Sequence, residues 1–134
     1  MLSNTVRKMF SRKTAGAAMI CFAANSAVAG PVETAFFNAT VQYVALKRGS
    51  VECGKPDGEH IAYKQRVLGM LGRLPNANLI VADREMERAF EREVTKYNPT
   101  CSEALLARYQ STLANGVEQS IGALTEAVLK ELYK

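Results

Sequence analysis

The sequence is poor in the residues that most enzymes need. It has no tryptophan and a single histidine, His60. It contains no G-x-S-x-G, no H-E-x-x-H and no glycine-rich loop opening a helix. A serine-hydrolase elbow, a zinc-protease helix and a phosphate cradle therefore have no basis in it. No C-x-x-C occurs, which removes c-type haem attachment and weakens any metal site built on cysteine. No cofactor and no metal are expected.

The 13 acidic residues invite comparison with cell-wall hydrolases, which use two carboxylates across a glycosidic bond. Each Glu here, however, falls where helix solvation or capping accounts for it, and the aromatics available to stack on a sugar number only 5 Tyr and 5 Phe. His60 stands beside Asp57 and Glu59 near the start of an expected helix. A catalytic role would need a nucleophile or second acid placed against it, so a surface histidine is expected and no catalytic residue is assigned.

A long apolar run is also missing, and what stands in its place is informative. Residues 1–13 carry Arg7, Lys8, Arg12 and Lys13 and no acid. Residues 14–29, TAGAAMICFAANSAVA, carry no charge and end in Ala27-Val28-Ala29, followed by Gly30-Pro31. A basic head, a short apolar run and an A-x-A end are the pattern of a cleavable secretory signal, with the cut between Ala29 and Gly30. The run falls short of the roughly 20 residues that span a bilayer, so no stable membrane anchor is expected after cleavage. Cys21 follows Ile20 inside the run, where lipoprotein processing would need a small residue. A mitochondrial presequence is the alternative; the A-x-A end and uncharged core favour bacterial export to the periplasm or beyond. Residues 30–134 are then expected to form a single domain.

The signal changes the electrostatic reading. The chain carries 17 Lys and Arg against 13 Asp and Glu, a net +4. Four of those cations lie in the signal and all the acids follow it, so the remainder is neutral. No clustered positive surface is left to meet the phosphates of a nucleic acid.

Two cysteines remain after the signal, Cys53 and Cys101. In an oxidising compartment an even pair reads as a disulfide, and a bridge across so long a loop is worth roughly 4 kcal/mol on the chain-entropy model.

The rest of the chain has helical periodicity. Residues 31–48 form a first helix, with Pro31 early, Glu33 at the positive end and Lys47-Arg48-Gly49 at the other. Residues 49–58, GSVECGKPDG, read as a loop holding Cys53. A second helix spans about 58–74, where Gly69 and Gly72 are expected to admit a neighbouring helix closely. A third covers about 79–97, with Met86, Phe90, Val94 and Tyr97 as its buried stripe and its charges in solvent. Thr100-x-x-Glu103 is a capping box opening the last helix. The apolar series that follows, Leu106, Tyr109, Leu113, Val117, Ile121, Leu124, Val128 and Leu132, keeps one face, with Asn115-Gly116 the natural place to bend or break.

Together these features predict an all-α bundle of four to five helices with a Cys53–Cys101 staple. The functional expectation is a non-catalytic binding or accessory protein of the cell envelope, such as an inhibitor, immunity or assembly factor. Its partner would be another envelope protein or a second copy, met through the stripe Leu113, Val117, Ile121, Leu124, Val128 and Leu132. An acid-stress chaperone is the alternative, since protonating the carboxylates would make the chain strongly positive and loosen its helices; a small cell-wall hydrolase is the second alternative.

Overall fold

A computed structural model describes residues 30–96 and 100–134. The expected secretory signal, with Ala27 and Ala29 of its expected cleavage motif, lies outside the described residues, as does Tyr97; Gly30 is the first residue described. The elements run α1 (Pro31–Cys53), α2 (Gly58–Leu71), α3 (Leu79–Lys96), α4 (Glu103–Ser111), a π-helical turn (Thr112–Gly116) and α5 (Val117–Leu132). The protein is a small all-α bundle with one disulfide, as its patterning predicts.

Helix α1 starts where expected. Pro31 occupies the first turn, and the buried Glu33 carboxylate accepts a hydrogen bond from the Gly30 N–H at 3.2 Å. Its end lies five residues beyond the expected one. Gly49 is buried inside the helix, and the left-handed cap is Gly54 at φ 70°, whose N–H returns to the Gly49 carbonyl. Only residues 54–57 connect α1 to α2, and Cys53 sits on the last turn of α1 rather than in a loop. Gly49 serves close approach instead of termination: a Cβ there would stand 2.2 Å from Cδ1 of Tyr109.

This helix is the axis of the bundle and touches each of the other four. It is buried on most of its circumference, which is why its apolar side reads so wide. Phe36, Tyr43 and Leu46 pack with Tyr63, Val67 and Leu71 of α2. Ala82 and Met86 of α3, Tyr109 of α4, and Leu124 and Val128 of α5 complete the same core.

The other helices depart from expectation in informative ways. Gly69 faces open space, so it admits no neighbour, while Gly72 does: a Cβ there would stand 3.3 Å from Cδ1 of Leu79 at the start of α3, and its N–H caps α2 on the Leu68 carbonyl at 2.9 Å. Asn78 starts α3 by accepting the Val81 N–H on Oδ1 at 3.1 Å. The buried face of α3 is Ala82, Glu85 and Met86; Phe90 and Val94 are only half-buried. Helix α4 is capped by Ser102, whose Oγ accepts the Leu105 N–H at 3.1 Å, so Thr100 is not the cap and the expected box does not open this helix. Ser is the better N-cap of the two, and it prevails two residues on.

The last helix does not break at Asn115-Gly116. It runs on from Glu103 to Leu132 and absorbs the irregularity as the π turn. Its course is antiparallel to α1, because Tyr109 meets Gly49 while Gly116 meets Gln42. A Cβ on Gly116 would lie 2.1 Å from the Gln42 Oε1. Each helix thus supplies one glycine and one large side chain to the crossing.

Cys53 and Cys101 are bonded, with S–S 2.11 Å and Cα–Cα 4.9 Å. The bridge fixes the end of α1 to the residues just before α4, and it is consistent with an extracellular or otherwise oxidising compartment. Among the described residues, no helix is long and apolar enough to cross a membrane.

Candidate functional site

Helix α3 carries little apolar surface into the core, and its carboxylates do much of the docking. Glu87 accepts hydrogen bonds from Lys47 of α1 at 2.5 Å, from the Tyr43 hydroxyl of α1 and from Lys64 of α2. Lys64 also pairs with Asp83 at 2.5 Å and lies over the Tyr43 ring. Lys47 lies 4.5 Å from the centre of the Phe90 ring. Burial pushes the Glu87 carboxyl up, but the hydrogen bonds from Lys47, Lys64 and Tyr43 outweigh it and bring the pKa down to about 2. Burial, reinforced by the bond to Glu87, raises the Tyr43 phenol.

His60 belongs to this cluster and is not at the surface. It is buried at 8% exposure with its ring edge-on to Tyr43, centroids 5.8 Å apart. Its Nδ1 finds no hydrogen-bond partner among the described residues. Burial, then the nearby Lys47 charge, lowers its pKa, so the neutral ring is favoured.

A second cluster stands farther along α3. Glu93 accepts from Arg108 of α4 at 2.6 Å and from Arg48 of α1 at 3.3 Å. Arg48 also forks onto Glu52 at 2.6 and 3.1 Å, just before the disulfide. Arg108 reaches the Val41 carbonyl at 3.4 Å. Burial raises the Glu93 carboxyl, and the arginines more than reverse it, so its pKa falls below the ordinary value.

Between α1 and α3 lies a groove of about 370 Å³. Phe36, Phe37, Val41, Val44 and Ala89 give it apolar walls, and Arg92, Lys96 and Arg108 give it cations. Glu85 lines it too, although its place on α3 predicted a solvated carboxylate; it is 6% exposed and pairs with Arg92 at 3.3 Å. Thr40, also in the lining, is buried with a hydroxyl that has no partner among the described residues. Thr112 and Thr125, by contrast, return their hydroxyls to the carbonyls of Arg108 and Ile121.

The stripe expected on the last helix turns mostly inward. Leu124 and Val128 are fully buried in the core, and Val117, Ile121 and Leu132 pack against it half-buried. Only Leu113 is exposed, because the π turn places Thr112 in the core instead. The stripe is therefore a core face and not a free surface. No group of three or more His, Cys, Asp or Glu among the described residues is placed to hold a metal ion.

Sequence reasoning missed the two carboxylate clusters and the groove. Charges three apart along α3 read as neighbours on one exposed face, whereas Glu87 and Glu93 pair with residues more than forty positions upstream in α1. No local pattern encodes such a pairing. Comparison with known proteins gives no further lead: no family model, no curated protein and no solved structure matches the chain.

Proposed function

We propose that this protein is exported to the bacterial periplasm or beyond and acts there by binding, as an accessory protein of the cell envelope without catalysis of its own. The observation that carries the reading is the α1/α3 groove: an apolar concavity with cations at its edge, built on a disulfide-stapled body. A concave, mainly apolar site with a few convergent polar groups is the ordinary form of a ligand site. The ionisable clusters beside it have a structural use, since they seat α3 on α1, α2 and α4. The test is to recover the tagged protein from a periplasmic extract under native conditions and weigh it intact. Stoichiometric extra mass supports binding, whether small molecule or protein. A cytoplasmic, unprocessed chain of bare mass overturns the reading.

An acid-triggered chaperone is the second reading, favoured by the carboxylate docking of α3. Protonating Glu87 and Glu93 removes the charges that hold α3 in place, and its departure would uncover Met86 and Ala82. An apolar dye whose binding rises as the pH approaches 2 supports it; a flat response between pH 7 and 2 removes it.

A further inference from the structure

We propose that α3 is a lid that opens by itself at neutral pH, ahead of the rest of the bundle, with ionic strength as its control. The inference goes beyond both readings above and rests on neither. An empty groove, or a flat dye response in acid, leaves it standing.

Three observations point to it. The first is how little apolar surface holds α3. Of its described residues, Ala82, Glu85 and Met86 are buried, and Glu85 turns to Arg92 of the same helix. Ala82 is small, so Met86 is the large apolar anchor, with Phe90 and Val94 half-buried. The neighbouring helices are anchored far more heavily: α1 by Phe36, Tyr43 and Leu46, and α2 by Tyr63, Val67 and Leu71.

The second observation is what holds α3 instead. Glu87 meets Lys47 and Lys64, Asp83 meets Lys64, and Glu93 meets Arg48 and Arg108. These three carboxylates are 30%, 48% and 28% exposed, so water and salt reach them. The Debye length falls from about 10 Å at 0.1 M salt to about 3 Å at 1 M. Ion pairs this close to solvent are weak and are screened by salt, whereas buried apolar contacts are not.

The third is that the remaining helices hold one another without α3. Tyr109 rests on Gly49, and the Cys53–Cys101 bridge pins the end of α1 to the residues before α4. Helix α2 is fixed to α5: the buried Tyr63 and Ser120 hydroxyls share a hydrogen bond at 2.5 Å, and Arg66 forks onto Glu118 at 2.9 and 3.1 Å. Leu74 is buried in the core, so the swing of α3 begins after it, at Pro75. Because α2 and α3 lie wholly between the two cysteines, the bridge keeps both ends of that excursion together while α3 is open. The side of α1 uncovered carries Thr40, Tyr43, Val44 and Lys47, which meet α3 or share its groove. Lids are drawn from elements that open below the free energy of global unfolding.

The experiment is hydrogen exchange at pH 7 on the oxidised protein, expressed from the full chain and read by mass spectrometry on peptides from each helix. It is run in low salt and in about 1 M sodium chloride. The central amides of α3, around Met86, should exchange faster than those of α1 and α5 in both. The higher salt should speed α3 by about fivefold relative to them. Glu87→Gln should raise α3 exchange in low salt and shrink its response to added salt. Glu91→Gln, at an exposed position of the same helix, should do neither. Each variant is checked for an unchanged helical spectrum, and the salt comparison on the wild type stands without them. Exchange of α3 in step with α1 at both salt levels overturns the lid. Early exchange that salt leaves unchanged, or that Glu91→Gln shifts as much as Glu87→Gln, overturns its ionic control.

Discussion

The ring of Tyr109 rests directly on the backbone of Gly49, leaving no room for a side chain between α1 and α4: a Cβ at residue 49 would stand 2.2 Å from Cδ1 and 2.8 Å from Cε1. Alanine normally stabilises a helix interior relative to glycine by about 1 kcal/mol. Here the contact reverses that preference. Gly49→Ala should destabilise the protein by about 2 kcal/mol, the scale of overpacking a core. In the Tyr109→Leu background the same change should cost less, because the two sites share one contact. Chemical denaturation of the four proteins reads this directly, and a more stable Gly49→Ala single variant would show that the ring is not confined.

The disulfide bridges residues 48 positions apart. Replacing Cys53 and Cys101 together by Ser should lower stability by roughly 4 kcal/mol and Tm by more than about 10 °C. Thermal melts with and without reductant check it. The wild type in reductant should melt like the double variant, and coincident melts for all samples would mean that the bridge stabilises nothing.

Glu87 sets an acid limit on stability. Its folded pKa of about 2 lies below its ordinary value of 4.5. The unfolded chain therefore takes up a proton first as the pH falls. The contribution of Glu87 is complete above about pH 4.5 and is lost as the pH drops toward 2. Because its side chain is 30% exposed, solvent screening holds the effect to about 1–2 kcal/mol. Glu87→Gln should be less stable than wild type at pH 7, with the gap closing by pH 2. Urea titrations along that range measure it, and a gap constant with pH would refute the ion-pair account.

His60 begins to act at a higher pH than Glu87. Burial lowers its folded pKa below the ordinary 6.5. As the pH falls through 6.5, the unfolded chain binds a proton that the folded chain resists, so stability declines with acidification there. His60→Gln should flatten this slope above pH 4.5 while leaving the Glu87 slope below it. An imidazole that titrates at or above 6.5 by NMR would show that the ring is solvated.

Much of this architecture was legible because helix periodicity and capping act locally. Pro31, Glu33, the run of apolar steps and the two cysteines all carried their meaning within a few turns or by simple pairing. The failures share a cause. Gly49 reads as a terminator until Tyr109, sixty residues away, is placed against it. Glu87 and Glu93 read as solvated until α1 supplies Lys47 and Arg48. The groove is likewise invisible to periodicity, since it depends on how α1 and α3 lie together. One clue did lie in plain view. The steps Tyr109, Leu113, Val117 and Ile121 are all four residues, and each overshoots a full helical turn by about 40°. Three in succession carry the stripe off its face, and the π turn at Thr112–Gly116 falls among them, where the core position passes from Leu113 to Thr112.

That turn makes the last helix unevenly tolerant of changes in chain length. Removing one residue from an ordinary stretch rotates everything beyond it by about 100° and swings the buried face into solvent. A widened turn already holds surplus chain. Deleting Ala114, which is exposed within it, lets the turn close to ordinary α-helical pitch while Leu124 and Val128 stay in the core. In the history of such a chain, this is where a residue can be gained or lost without the bundle having to be rebuilt.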